Sequence, residues 1–341
     1  ELKPSYADAY ASYSTLFYLK GNVDEALTQM RKAIELDPQE NRYQTQLAQA
    51  LWSVSRSEEA IATVKGAIER NPKVPSNYSM LGRWYMQLGD IGKGAYWENQ
   101  AGLLDGADSR PANWGRCLNL VQFWATERAL ECVNNFLRKY PQDTEATNYL
   151  ALLTGDVELG VEGLRKSVAE NPRFWYRRFQ LADWLVQAKE YAEVIEVLQP
   201  VAPDLFAPQI KVSDFTIWAA INAGRAYQGL GETEKAQTLL EAGLDFIDRR
   251  RKLQGSGYIA GVEDVQILLL LDRPDEALDR LGSAVASGWR FYSYILTQSI
   301  FDPVRDDARF QSAYATVEKS LSKQLAWYDE NRDMPMESMS L

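Results

Sequence analysis

The sequence predicts an all-α fold of stacked helical hairpins, and three observations support this prediction. Pro4, Pro38 and Pro72 stand 34 residues apart, and a fixed period of this length indicates a repeat architecture. Apolar residues between these prolines recur at intervals of three and four, as in amphipathic helices. The 341 residues show no break in composition, so an array of similar units fits better than one large core.

Each repeat is predicted to form two helices joined by a short break. In the first repeat we expect helices over residues 7–20 and 23–36, with Gly21 and Asn22 between them. Small residues recur where the two helices must approach closely, and proline ends the second helix because it cannot continue the hydrogen-bond ladder. The register is kept by Gly21, Ser55 and Gly89, by Ala26, Ala60 and Gly94, and by Ala33, Ala67 and Ala101.

This pattern resembles the tetratricopeptide repeat. The resemblance is carried by Leu81, Gly82, Tyr85, Gly94 and Ala101 on the 34-residue spacing. It implies an α-α superhelix, a solenoid of about eight helical hairpins with a C-terminal capping helix. The array is expected to cover residues 1–298, with repeats near 7–40, 41–74, 75–109, 110–141, 142–172, 175–208, 217–250 and 258–288.

Two stretches interrupt the predicted array, and a separate segment follows it. Residues 200–208 and 249–257 are rich in proline or glycine and are expected to form longer loops. We expect residues 299–333 to form a capping segment that ends in an amphipathic helix, and residues 334–341 to be a disordered tail. Because Pro4 occupies the closing position of a repeat, we expect the natural protein to extend upstream, and the exposed repeat ends to offer a dimer contact.

The segment after the array has a second resemblance. Residues 287–333 resemble the end of the repeat array in bacterial signalling proteins, where a winged-helix transcriptional regulator or a nucleotide-cyclase module precedes a similar array. This resemblance implies an alternative function, a ligand-sensing regulatory arm of a signalling or transcription-regulator protein. The residues that carry it are Phe301, Asp302, Pro303, Arg305, Asp306, Arg309 and Phe310.

Composition and charge exclude several classes of function. Hydrophobic residues make up 46% of the chain and charged residues 25%, and the longest apolar stretch, near residues 267–271, is too short to span a bilayer. The net charge of −10 argues against a nucleic-acid partner, because phosphate binding needs a cationic face. The location stays open: cytoplasm, periplasm, or the soluble part of a membrane-tethered protein.

No catalytic centre, cofactor or metal site is predicted, so the protein is not expected to be an enzyme. The chain has no histidine, which removes the commonest general base and most zinc sites. Cys117 and Cys132 fall on the two helices of one hairpin; a disulfide is the alternative, but we favour free core thiols. Gly89, Gly92 and Gly94 could suggest a phosphate loop, but no Gly-Lys-Ser/Thr follows them and a hairpin turn is favoured.

The resemblance to tetratricopeptide repeats implies a binding site on the concave surface that the first helix of each hairpin builds. Such a surface receives a protein or a peptide. Aromatic residues and arginine supply most binding energy at interfaces, which favours a non-enzymatic protein interaction module; the alternative is that several of the aromatics pack between hairpins. The register assigns to this surface Tyr18, Arg42, Gln49, Trp52, Arg83, Met86, Trp114, Tyr176, Phe179, Trp218, Arg225 and Gln228.

Overall fold

The computed structural model describes residues 5–20, 22–254, 261–291, 295–296 and 298–334. Within these ranges the chain forms α-helices and short 3-10 helices and no strand, so the predicted all-α class is confirmed. The first helices of successive hairpins are α1 (Ser5–Leu19), α3 (Asn41–Ser53), α5 (Pro75–Gln87), α7 (Arg110–Gln122), α9 (Thr144–Thr154), α11 (Trp175–Gln187), α13 (Ile217–Gly229) and α15 (Glu263–Leu270).

The second helices alternate with the first, as the repeat pattern predicts. They are α2 (Val23–Leu36), α4 (Ser57–Arg70), α6 (Ile91–Leu104), α8 (Thr126–Lys139), α10 (Val157–Glu170), α12 (Tyr191–Leu198), α14 (Thr233–Gln254) and α16 (Pro274–Ala286). Short 3-10 helices lie at Pro203–Leu205 and Ser299–Val304, and the long helix α17 (Ala308–Asn331) follows. In the described part of the chain, no helix is long and apolar enough to cross a bilayer.

The chain forms two compact units. Unit 1 comprises residues up to 115 together with those from 324 onwards, and unit 2 comprises the described residues between 116 and 323. Unit 1 therefore holds the hairpins α1–α2, α3–α4 and α5–α6 and the end of α17. The boundary falls within α7, and unit 2 holds the rest of α7, α8, the later hairpins and the first part of α17.

Small side chains at the helix crossings let the two helices of a hairpin approach closely. Ala26 and Ala60 are fully buried at equivalent positions of the first two hairpins. Gly94 occupies the same place in the third hairpin, and a Cβ there would lie 2.7 Å from the carbonyl oxygen of Gly82. A contact this short forces the backbone apart, so the third hairpin depends on glycine at this crossing.

The break between the two helices of a hairpin is a residue in the left-handed conformation. This geometry ends the first helix and turns the chain into the second. Gly89 occupies the turn of the third hairpin, which confirms the hairpin interpretation of that glycine, whereas Gly21, the corresponding residue of the first hairpin, lies outside the described residues. The seven described turns hold Ser55, Gly89, Trp124, Gly155, Lys189, Gly231 and Asp272, with φ between 56° and 85°.

The end of α17 is attached to the third hairpin of unit 1. The Gln324 side chain donates a hydrogen bond to the Gly89 carbonyl oxygen at 3.0 Å and accepts one from the Gly92 amide at 2.9 Å. A Cβ at Gly92 would lie 3.1 Å from the Trp327 ring, so glycine permits this close approach. The Tyr96 hydroxyl donates to the Met334 carbonyl at 3.1 Å. These contacts hold the last described residues against α6.

In unit 2 the start of α17 lies against the last hairpin. The Arg309 guanidinium forms an ion pair with Asp275 of α16 at 2.8 Å. The Phe310 ring packs against Phe301 of the preceding 3-10 helix, with 5.9 Å between ring centroids. Phe301 and Phe310 are 0% and 2% exposed, so this part of the tail has a packed core of its own.

A disulfide joins Cys117 of α7 to Cys132 of α8, so the expectation of free thiols was wrong. The two Cα atoms are 5.4 Å apart, inside the range that a disulfide spans without movement of the backbone. We expected free thiols because buried free cysteine is common in proteins. Whether the bond forms depends instead on how close α7 and α8 come where the two cysteines lie.

We expect reduction of this disulfide to destabilise the protein. The bond closes a loop with a sequence separation of 15 residues. Restricting the unfolded chain over such a loop stabilises the folded state by about 3 kcal/mol. In urea unfolding, the midpoint of the wild type with reductant should therefore be similar to that of the Cys117→Ala/Cys132→Ala variant. Both midpoints should lie well below that of the oxidised wild type. An unchanged unfolding midpoint on reduction would contradict the assignment.

Glu98 is a carboxyl group held between the two helices of the third hairpin. The Ser79 hydroxyl of α5 donates to its Oε2 atom at 3.0 Å. Burial nevertheless raises the pKa of Glu98 to about 7, with the Ser79 hydrogen bond and the Arg83 charge acting in the opposite direction. The ionised form is thus disfavoured in the folded state. The protonated carboxyl therefore adds to the free energy of unfolding. This contribution is complete below the ordinary pKa of 4.5 and is lost as pH rises through about 7.

We expect Glu98→Gln to remove this pH dependence. The wild type should lose about 3 kcal/mol of unfolding free energy from this group between acidic and mildly alkaline pH, and the variant should keep it. Urea unfolding at pH 5 and pH 8 measures the difference. Glu59→Gln is the matched control. An Arg56 hydrogen bond lowers the pKa of that exposed carboxyl, so its replacement by glutamine should not raise the free energy of unfolding at pH 8. Parallel pH profiles for wild type and Glu98→Gln would refute the proposal.

Candidate functional site

Exposed aromatic side chains of unit 2 gather at the start of α11 and just before α13. Phe174, Trp175 and Tyr176 are 44%, 37% and 47% exposed, and Phe215 is 59% exposed. The Trp175 ring lies 4.1 Å from the Phe215 ring and 5.3 Å from the Phe179 ring, between centroids. Contiguous exposed apolar surface of this kind marks interaction sites. We call these five residues the aromatic cluster.

Two charged side chains lie further along the same helices. On α11, Tyr176 and Asp183 are seven residues apart, and on α13 so are Trp218 and Arg225; a spacing of seven keeps two residues on one helix face. Helices α11 and α13 pack together. Desolvation raises the pKa of Asp183 and lowers that of Arg225, yet each side chain is still partly open to water. Protein atoms therefore surround both groups without fully covering them, and we call this pair the floor of the first-helix surface.

Asp183 and Arg225 attract each other but do not form a direct contact. The charge of each group partly offsets the effect of desolvation on the pKa of the other. Within the described part of the chain, neither group has an ion pair or a hydrogen bond. A desolvated charge without hydrogen-bond partners is unfavourable, and a bound group that supplies those partners relieves it. The floor of this surface can therefore bind polar groups of a ligand.

The surface is supported from α9 on its other side. The Trp184 indole nitrogen of α11 donates to Asn148 Oδ1 of α9 at 2.6 Å, which fixes one helix on the next. Desolvation by neighbouring protein atoms, and then the negative charge of Glu145, raise the pKa of Tyr176, although about half of its side chain is open to water. The phenol can donate a hydrogen bond to a ligand. First helices α9, α11 and α13 thus contribute to one surface.

Five of the residues predicted from the sequence lie on the first helices of unit 2. Tyr176 and Phe179 belong to the aromatic cluster, Trp218 is 39% exposed, and Arg225 lies beside Asp183. Gln228 has a structural contact instead, because its side-chain amide donates to the Leu270 carbonyl oxygen at 2.7 Å. The structure therefore brings four of these five to the same region of unit 2.

The predicted residues of unit 1 do not form a comparable surface. Tyr18 is 43% exposed and its hydroxyl donates to Ser53 Oγ at 3.0 Å, and Arg42 pairs with Asp8. Trp52 is stacked on Trp84, with 4.7 Å between ring centroids and 3° between planes. Gln49 and Arg83 are exposed. Met86 and Trp114 are only 5% and 4% exposed, so they offer almost no area to a ligand.

Sequence reasoning missed four residues of the unit 2 surface: Phe174, Trp175, Phe215 and Asp183. Trp175 stands between two other aromatics at a helix start, and such a run cannot all face inwards on a helix. Asp183 is one helical heptad after Tyr176, so the face already assigned to Tyr176 includes it. Phe215 lies in a connection outside the repeat register, where the sequence gives no comparable signal.

Comparison with known proteins identifies tetratricopeptide repeats in each unit. Residues 7–40 and residues 217–242 match family models described as tetratricopeptide repeat. Hairpin α1–α2 in unit 1, and α13 with the start of α14 in unit 2, are therefore repeats of this type. The sequence matches no curated protein.

Several solved structures are similar to this chain at low sequence identity. A tetratricopeptide repeat protein from Parabacteroides merdae is 16% identical with a TM-score of 0.49, over 73% of this chain and 99% of its own. The APC/C hetero-tetramer Cut9-Hcn1 is 14% identical with a TM-score of 0.47, over 92% of this chain and 56% of its own. The human IFIT1 dimer with m7Gppp-AAAA is 13% identical with a TM-score of 0.49, over 91% and 67%.

A double-mutant cycle tests whether Asp183 and Arg225 form a direct ion pair. Asp183→Asn, Arg225→Gln and the double variant should show a coupling free energy below about 1 kcal/mol in urea unfolding at pH 7, because the two groups interact only at a distance. A coupling of several kcal/mol would reveal a direct buried ion pair and would remove the argument for a free floor. Arg165 with Glu193, which are hydrogen-bonded at 3.0 Å between Nε and Oε1, provide the matched control pair.

Proposed function

We propose that the protein is a non-enzymatic recognition module that binds a protein or peptide on the first-helix surface of unit 2. The observation that carries this proposal is the aromatic cluster beside two desolvated charges. Tetratricopeptide repeats in the chain support an interaction module in general. The alternative implied by the tail resemblance, a ligand-sensing arm, stays a prediction.

The chemistry of the surface favours a peptide with both apolar and polar groups. Trp175, Tyr176 and Phe215 are large, rigid and exposed, and burying such rings supplies much of the free energy of protein interfaces. Asp183 accepts hydrogen bonds and Arg225 donates them, so together they suit amide groups of a peptide. The occupant is therefore expected to place an apolar side chain on the aromatic cluster and polar groups over the floor.

Affinity capture from lysate of the source cells, with quantified binding of the captured partner, tests the proposal. The bait variant Trp175→Ala/Phe215→Ala removes the two rings that touch at the centre of the cluster. Because hot-spot rings contribute about 2 kcal/mol or more each, we expect at least about a tenfold loss of affinity. Far-UV circular dichroism checks that helicity is unchanged.

Tyr13→Ala is the matched control for this experiment. Tyr13 is 56% exposed and lies on α1 of unit 1, so the variant removes a similar exposed ring at a different place. The partner should be retained by this variant. A partner that binds the cluster variant as well as the wild type, or that is lost equally in Tyr13→Ala, would place the interaction elsewhere.

A further inference from the structure

Unit 2 contains a second concave site, apart from the first-helix surface. A cavity of about 450 Å³ lies between the hairpin turn after α7, the end of α9 and the middle of α17. Pockets for small molecules are usually of this size, about 300 to 1,000 Å³. Its lining residues are Val121, Phe123, Trp124, Thr126, Leu152, Leu153, Tyr314, Glu318 and Ser322.

Trp124 is an unusual residue for its position in the fold. It occupies the left-handed hairpin turn with φ 58°, where three other hairpins have Gly89, Gly155 and Gly231. A bulky side chain is unfavourable in this conformation. A bulky residue in such a turn, at the wall of a cavity, indicates a role other than forming the turn.

Trp124 instead supplies one aromatic face of the cavity. Its ring lies 4.9 Å from the Tyr314 ring of α17, between centroids. Tyr314, Glu318 and Ser322 follow one another at intervals of four, so α17 presents all three along a single face towards the cavity. The wall thus combines two aromatic rings with a carboxylate one helical turn away.

The electrostatics of this cavity favour a cation. Glu318 is the one lining residue that carries a charge at neutral pH, since the lining includes no lysine or arginine. The faces of tryptophan and tyrosine rings attract ammonium groups through their negative quadrupole. Leu152 and Leu153 add apolar area to the wall, and Thr126 and Ser322 add polar area. The chain as a whole, with a net charge of −10, also concentrates cations near its surface.

We infer that this cavity binds a small organic ammonium compound with an apolar body. The ammonium group is placed next to the paired Trp124 and Tyr314 rings and the Glu318 carboxylate. The apolar body lies against Leu152 and Leu153. This site is separate from the aromatic cluster and does not depend on the function proposed for that cluster.

Two matched probes test the inference on the full chain. Phenethylammonium and 3-phenylpropionate share a phenyl ring and two methylene groups and differ in the sign of their charge. Protein labelled with 5-fluorotryptophan gives a separate fluorine NMR signal for Trp124, assigned by its loss in Trp124→Gly. We expect millimolar phenethylammonium to shift this signal and 3-phenylpropionate to leave it in place. Equal shifts with both probes, or no shift with either, would overturn the inference.

Variants of the lining residues test how much Glu318 and Trp124 contribute to phenethylammonium binding. Glu318→Gln is nearly isosteric and should weaken phenethylammonium binding about two- to five-fold, the range for an exposed ion pair. Trp124→Gly should weaken it further without damage to the turn, because glycine is the residue of three equivalent turns. Glu330→Gln, an exposed carboxylate further along the same helix, is the control and should have no effect. Unchanged binding in Glu318→Gln would refute the site.

Discussion

The close approach of the two helices within each hairpin is the constraint on which the rest of the structure depends. Ala26, Ala60, Ala129 and Ala277 are all 0% exposed at these crossings, and Gly94 meets the backbone of Gly82. When small residues form the crossing, the larger side chains are left for the surfaces between neighbouring hairpins, and stacking then buries a core within each unit. A larger residue at one crossing would separate two helices and displace every neighbour that packs on them.

The left-handed residue of each described turn then fixes how the second helix of a hairpin follows the first. On α11, Tyr176 and Asp183 are seven residues apart, and on α13 so are Trp218 and Arg225. The two helices pack together. The spacing between these hairpins is longer than 34 residues because a connection with a 3-10 helix at Pro203–Leu205 separates them. That same connection brings Phe215 to Trp175.

The sequence predicts features that depend on contacts within one repeat, and it does not predict contacts between residues far apart in the chain. The period, the small residues and the hairpin turns depend on contacts within one repeat, and the sequence shows these directly. The Cys117 to Cys132 bond depends on the distance between two helices at one level, and residue types do not give that distance. Met86 and Trp114 are buried because neighbouring elements cover them. The attachment of Gln324 to Gly89 and Gly92 spans more than 230 residues, and no periodic signal links such distant positions.

The hairpins of α3 to α6 and the start of α11 use their aromatic residues in different ways, and this difference supports the proposal that recognition occurs at α11 rather than in those hairpins. In the hairpins of α3 to α6, Trp52 and Trp84 stack on each other, and Tyr78 and Tyr96 are buried with hydroxyls hydrogen-bonded to carbonyl groups. Those rings stabilise the fold.

In unit 2 the rings at the start of α11 touch each other but remain open to water, and nothing in their own contacts requires residues so large. Exposed rings of this size are unfavourable for solubility, and a smaller polar residue would serve the helix start equally well. The size of these rings therefore supports the proposal that a partner covers them.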